Sequence, residues 1–146
     1  MFKSIKARVD EPAIRELLEY AVMFDPDALE DAARLYREED TYQLFGYEEE
    51  EAGITGIIGY RVNASQTLEI IHLAVHPEQR MKGYGRALVL LALTEASPER
   101  MEAITDEAGA DFFRNIGFQI TGFWDEAIGE ERFRCIYEVE ENEEDE

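Results

Sequence analysis

The segment spanning residues 68–88, LEIIHLAVHPEQRMKGYGRAL, restricts the fold more than any other part of the chain. It begins as a strand rich in β-branched residues, ended by Pro77, and continues through a turn that holds Gly83 and Gly85. It then passes directly into residues 87–96, apolar nearly all round, which read as a buried helix stopped at Ser97-Pro98. A strand that enters a helix through glycines lets successive backbone N–H groups converge into a small concave nest. The first turn of the helix adds its own free N–H groups and a partial positive charge. Together they form an anion site of phosphate size. Charge points the same way: the 146 residues carry 14 Lys+Arg against 34 Asp+Glu, a net charge of −20, yet residues 80–86 hold Arg80, Lys82 and Arg86 and no acid.

Two common phosphate loops are disfavoured. No Gly-Lys-Ser/Thr ending is present for a Walker loop. A dinucleotide fingerprint needs a third glycine where Leu88 stands.

The remaining elements follow from periodicity. Residues 2–9 alternate as a first strand, and Asp10 before Glu11-Pro12 reads as the cap of a helix with Ile14, Leu17, Leu18, Ala21 and Val22 inside. Asp25-Pro26 opens a second helix. Residues 41–47 and 52–62 form a hairpin around the acidic turn 48–51, and residues 67–75 form the next strand. After the central helix come a strand at 101–105, a helix at 107–115 ended by Gly117, and strands at 118–124 and 132–139. The order β-α-α-β-β-β-α-β-α-β-β is that of one mixed α/β domain over residues 1–139. Residues 140–146 form an acidic tail expected to be disordered.

Composition narrows the partners. The last nine residues hold seven acids, and without them 14 bases still face 27 acids, a charge of −13. Such a surface repels phosphate backbones and anionic lipid, which argues against nucleic acid or a membrane as partner and favours a cationic substrate. Acidity also serves solubility. The start, MFKSIKARVDEP, has no apolar stretch like a signal peptide, and the longest apolar run, 87–93, is far short of the ~20 residues that span a bilayer. One cysteine, Cys135, forms no internal disulfide, so the expected setting is the cytoplasm.

Val75-His76-Pro77 followed by Arg80-Met81-Lys82-Gly83-Tyr84-Gly85-Arg86 resembles the acyl-CoA signature of the GNAT N-acetyltransferase superfamily, V-x-P and then Q/R-x-x-G-x-G/A. The run Asp111-Phe112-Phe113-Arg114-Asn115-Ile116-Gly117-Phe118 resembles the second motif of that family, a helix ending in F-Y-x-x-x-G-F. The resemblance implies a GNAT-like acyl-CoA-binding fold over residues 1–139. It also implies acetyl transfer from acetyl-CoA to a primary amine of a small molecule or peptide, without a metal, in a protein of a type that often pairs as a homodimer. By the same resemblance, the backbone of Leu73, Ala74 and Val75 pairs with the pantetheine arm. Amides around Met81, Lys82, Gly83, Tyr84, Gly85 and Arg86 hold the pyrophosphate, and Arg80 shapes the loop. The joint of the first two helices, with Phe24, Asp25, Asp27 and Leu29, lines the acceptor side; Asp25 and Asp27 serve equally as turn and cap residues.

Attack by an amine needs a base, because an alkylammonium with pKa around 10 has no lone pair. Glu69 lies fourteen residues before Gly83, the spacing of the glutamate base in histone-type members. Among Leu68, Ile70 and Ile71 a carboxylate is either desolvated and raised in pKa, or faces solvent near the strand start. His72 is the rival base or a hydrogen-bonded structural histidine. His72 and His76 are too few ligands for a metal.

Three positions depart from the family pattern. Phe113 stands where a tyrosine often protonates the sulfur, so the acid is water, Tyr84, Tyr137 or none. Asp106 stands where Asn is common, and Gly109 where Ala is common. Phe113 is also what a domain that binds acyl-CoA without turnover would carry. Trp124 borders the slot or belongs to the core, and Cys135 is expected to be a packed thiol.

Overall fold

Ile5 leaves the extended conformation with φ −120° and ψ 12°, although its N–H still pairs with the Leu44 carbonyl at 2.9 Å. The first strand therefore closes early. In the computed structural model, which describes residues 1–140, β1 is Phe2–Ser4 and a single tight helical turn, Lys6–Arg8, replaces the rest of the strand expected to residue 9. Of the tail expected at 140–146, all but Glu140 lies outside the described residues. The order continues as α1 (Pro12–Ala21), α2 (Pro26–Glu38), β2 (Tyr42–Glu49), β3 (Gly53–Val62), β4 (Thr67–Val75), α3 (Tyr84–Ala96), β5 (Arg100–Thr105), α4 (Glu107–Asn115), β6 (Gln119–Asp125) and β7 (Glu130–Glu138). This is the β-α-α-β-β-β-α-β-α-β-β order of the sequence reading, and the bounds of β4 and α4 agree with it residue for residue.

The helix starts differ in instructive ways. α1 begins at Pro12 with Glu11 at the cap and no side-chain cap bond. Asp10, expected as that cap, instead accepts two bonds from Arg37 at 3.1 and 2.6 Å, and these hold its carboxyl below the usual range. Asp25 does cap α2, with Oδ1 accepting from the N–H groups of Asp27 and Ala28 at 3.0 and 3.2 Å. α3 begins at Tyr84, three residues ahead of the apolar run. It is not buried all round: Leu88, Val89 and Ala92 face inward, while Leu90 is 48% exposed.

Two compact units make up the chain, and β4 runs through both. The first contains Met1–Arg61 and Ile71–Ser97, with strands in the order β1-β2-β3 and then the second half of β4. β1 and β2 are antiparallel, as are β2 and β3, whose register shifts at a bulge between Tyr47 and Glu48. Ile14, Leu17 and Leu18 of α1 and Ala32, Ala33 and Tyr36 of α2 pack with Leu44, Ile54 and Ile57 into its core. Each fully buried Leu or Ile removes from water an apolar surface worth about 1.5–3 kcal/mol.

The second unit contains Val62–Ile70 and the chain from Pro98 on, with strands in the order β4-β5-β7-β6. Here β4 and β5 are parallel, from Thr67↔Arg100 to Ile70↔Ala103, and the β5–β7 and β6–β7 pairs are antiparallel. The β4–β5 ladder stops at Ile70, although β4 continues for five more residues. Leu68, Ile70, Met101, Ala103, Ala110, Phe113, Phe118 and Cys135 are the buried apolar residues of this unit among the described residues. No helix among the described residues is long and apolar enough to cross a membrane.

Candidate active site

In the first unit the end of β4, the loop after it and the start of α3 form one arrangement. Gly56 permits it, because a Cβ there would lie 2.8 Å from Leu88 Cδ1 and 3.0 Å from the Ala74 carbonyl. A strand glycine thus lets α3 sit close to the end of β4. Pro77 opens a single tight turn, Pro77–Gln79, capped by His76, whose Nδ1 accepts the Glu78 N–H at 3.2 Å. Arg80 Nε donates to the Val75 carbonyl at 3.1 Å, tying the loop back to the strand.

Next come two left-handed residues, Met81 with φ +65° and Gly83 with φ +84°, on either side of Lys82. For glycine this conformation carries no steric penalty, whereas for methionine it costs about 1–2 kcal/mol. The Met81 side chain is fully exposed. Gly83 is the residue before α3 and supplies no side-chain cap. The first intrahelical bond at this end is Ala87 N–H to the Gly83 carbonyl, 3.0 Å. The N–H groups of Tyr84, Gly85 and Arg86 precede it, at the positive end of a thirteen-residue helix. Arg80, Lys82 and Arg86 are exposed around this end. Uncapped amides, a helix dipole and three bases match a pyrophosphate in charge and in donor number.

Side chains elsewhere in this unit hold the loop. Tyr84 donates its hydroxyl to Glu49 Oε1 at 2.9 Å and packs against the Tyr47 ring at 5.6 Å. The bond to Glu49, with some burial, raises the Tyr84 phenol above its ordinary value. Lys82 Nζ donates to Gln79 Oε1 at 3.1 Å. Nothing in the local sequence marks Tyr47 and Glu49 as partners of this loop, because contacts across 35 or more positions leave no local signal.

His72 is hydrogen-bonded to Tyr36 within the first unit. Its Nδ1 lies 2.6 Å from the Tyr36 hydroxyl, and burial alone lowers its pKa to about 4. Burial pushes the Tyr36 phenol well above its usual value, so a protonated hydroxyl faces a neutral imidazole. A Cβ on Gly59 would overlap the Tyr36 hydroxyl, so that glycine makes the pair possible. Gly56 and Gly59 inside a strand were the readable sign of close approach in this region.

The second unit holds Glu69, Asp106 and Phe113, while Phe24, Asp25, Asp27 and Leu29 lie at the joint of α1 and α2 in the first. Glu69 is half-buried between the buried Leu68 and Ile70, and its Oε2 accepts from Asn63 Nδ2 at 2.9 Å. Asp106 caps α4, accepting the Gly109 N–H at 2.9 Å, and a Cβ on Gly109 would overlap the Thr105 hydroxyl. The glycine that replaces the common alanine thus accommodates Thr105. Phe113 is buried, with its ring 5.0 Å from Phe118, which in turn lies 5.6 Å from Tyr137. Trp124, weighed as a core aromatic, is 64% exposed. Cys135 is fully buried and burial raises its thiol, as a packed cysteine requires. Among the described residues, no group of three or more His, Cys, Asp and Glu is placed to hold a metal ion.

Comparison with known proteins bears on the same region. The model of the Acetyltransferase (GNAT) family matches residues 11–118. An uncharacterised N-acetyltransferase from the lysA 3′ region of Bacillus methanolicus is 36% identical over 88 residues, 60% of this chain and 71% of that one. A crystal structure assigned to the GNAT acetyltransferases, from Desulfovibrio desulfuricans, superposes with a TM-score of 0.82 at 19% identity, covering 96% of this chain and 99% of the other. An aminoglycoside 6′-N-acetyltransferase complexed with coenzyme A superposes with a TM-score of 0.76 at 13% identity, over 97% and 98% of the two chains. With a family match that covers both the uncapped helix start and the helix that carries Phe113, the chain belongs to the GNAT family of acetyltransferases.

Proposed function

We propose that residues 1–139 act as one domain that transfers the acetyl group of acetyl-CoA to a primary amine on a small cationic molecule or peptide. The observation that carries the reading is the uncapped start of α3: Gly83 left-handed, free N–H groups at Tyr84, Gly85 and Arg86, and three exposed bases in an acidic protein. These groups hold the diphosphate. The backbone of Leu73, Ala74 and Val75, beyond the point where the β4–β5 ladder stops, supplies peptide groups for the pantetheine amides.

Acetyl-CoA brings the activated thioester, and the chain's own groups do the rest. Glu69 takes the proton of the ammonium acceptor, directly or through water, and frees the lone pair. A backbone N–H among Leu73, Ala74 and Val75 stabilises the charge that builds on the thioester oxygen. The new N–C bond forms as the C–S bond breaks; CoA leaves as a thiolate, and the second proton of the attacking nitrogen passes to that sulfur through water. Phe113 has no proton to give. Tyr84 is held by Glu49 and its phenol is raised, which keeps it protonated but directed at that carboxylate. Orientation of both substrates supplies much of the rate.

The charge of −20 favours a cationic acceptor, and the neighbour that acts on aminoglycosides takes acceptors of that class. The single buried thiol fits a cytoplasmic setting.

Calorimetric titration with acetyl-CoA, with ATP and NAD as controls, tests the donor site. Acetyl-CoA is expected to bind selectively, and Gly83→Glu is expected to abolish binding. Thiol release with polyamine, aminoglycoside and peptide amines then tests transfer, with an acceptor KM that rises with salt. Failure to bind acetyl-CoA overturns the reading. Binding without thiol release from any amine overturns the transfer step.

A further inference from the structure

The three bases of the loop are not equivalent. Arg80 is committed twice: Nε donates to the Val75 carbonyl at 3.1 Å, and Cζ lies 5.4 Å from the centroid of the Tyr20 ring. At that distance the ring quadrupole attracts the guanidinium. Tyr20 is itself seated, with its ring edge-on to Phe24 at 4.9 Å. It lies on α1 four residues after Glu16, so the two share one helix face. Glu16 Oε1 meets His76 Nε2 at 3.0 Å. His76 and Arg80 bracket the Pro77–Gln79 turn, so that face of α1 grips the turn at both ends.

We infer that Tyr20 is a positioning residue for the donor loop. Its ring holds the Arg80 guanidinium against the end of β4, and this fixes the left-handed path of residues 81–83 before acetyl-CoA arrives. The inference rests on the reading of that loop as the acetyl-CoA diphosphate site. Arginine has many rotamers, and an exposed one released from Tyr20 lets the loop sample other paths. Binding must then order it again, which weakens affinity. The contact uses the ring face and not the hydroxyl, so phenylalanine substitutes for tyrosine.

The test is titration of acetyl-CoA into the full chain, the single variants Tyr20→Leu, Tyr20→Met, Tyr20→Phe and Arg80→Ala, and the double variant Tyr20→Leu/Arg80→Ala, with melting temperatures measured alongside. Tyr20→Leu is expected to weaken binding about three- to tenfold, the worth of one such contact plus loop ordering. Tyr20→Phe is expected to stay within about twofold of the parent, since phenylalanine also attracts a cation. In the Arg80→Ala background the Tyr20→Leu effect is expected to vanish. In steady-state kinetics the loss falls on KM for acetyl-CoA more than on kcat. Should Tyr20→Leu fail to fold, Tyr20→Met fills the space without a ring face and gives the same reading. The inference is overturned if a ring-less variant binds like the parent, or if Tyr20→Leu weakens the parent and the Arg80→Ala protein equally. A parent chain that does not bind acetyl-CoA overturns the donor-loop reading itself, a distinct outcome.

Discussion

Asn63 Nδ2 donates to Glu69 Oε2 at 2.9 Å, while Oδ1 of the same amide accepts the N–H groups of Ser65 and Thr67 at 2.9 and 3.2 Å. One side chain therefore sets both the β3–β4 turn and the carboxylate proposed as base. Glu69→Gln keeps the shape and removes the proton acceptor. We expect kcat to fall by about 10²–10⁴ with acetyl-CoA affinity unchanged, as for the loss of a general base. Asn63→Ala is expected to lower kcat less, because the carboxylate stays but loses that hydrogen bond. A Glu69→Gln enzyme with parental kcat would remove Glu69 from the mechanism.

The two left-handed residues of the loop have opposite expectations. Gly83→Ala places a Cβ in open space, so its cost is conformational, about 1–2 kcal/mol at φ +84°. Met81→Gly relieves strain of the same kind and is expected to stabilise by about 1 kcal/mol, since the exposed side chain forfeits little packing. Chemical denaturation of both variants measures the two effects.

His72 makes folding stability depend on pH. Its folded pKa of about 4 lies below the ordinary 6.5, so the unfolded chain binds more protons between those values. The stabilisation is complete above pH 6.5 and is lost as the pH falls toward 4, roughly 3 kcal/mol in all. About 1 kcal/mol of it disappears between pH 7.5 and 5.5, before most carboxylates titrate. Urea midpoints across that window are expected to fall in the parent and to stay flatter in His72→Gln.

Phe113 and Trp124 are both aromatic residues of the second unit but are expected to respond differently. Phe113→Ala empties a buried site beside Phe118 and is expected to cost about 3–5 kcal/mol. Trp124→Ala acts on an exposed ring and is expected to stay within about 0.5 kcal/mol. Equal losses in unfolding free energy would contradict that placement.

What the sequence made legible was mostly local. Thr67–Val75 and Glu107–Asn115 are readable to the residue, because β-branched density and a helix-ending glycine are near-neighbour signals. The donor loop stood out through its glycines and its reversal of charge. The start of α3 was read late because Gly83 opens the helix without a capping side chain, and sequence rules look for one. The Asp10 cap failed for a different reason: a tertiary partner, Arg37, takes up its carboxylate. Tyr20 under Arg80 and Tyr84 on Glu49 join residues 60 and 35 positions apart, and nothing in either neighbourhood announces the other. His72 is ambiguous in the sequence because its hydrogen-bond partner, Tyr36, and the space that Gly59 leaves for the pair are both remote from it.

That last trio limits how this chain can diverge. A methyl at position 59 collides with the Tyr36 hydroxyl, and a phenylalanine at position 36 leaves Nδ1 of His72 buried without its partner. The three positions are therefore coupled: losing either the histidine or the phenol alone strands a buried polar atom of the other, and the glycine can be replaced only once the phenol is gone, so substitutions here are expected to be non-additive.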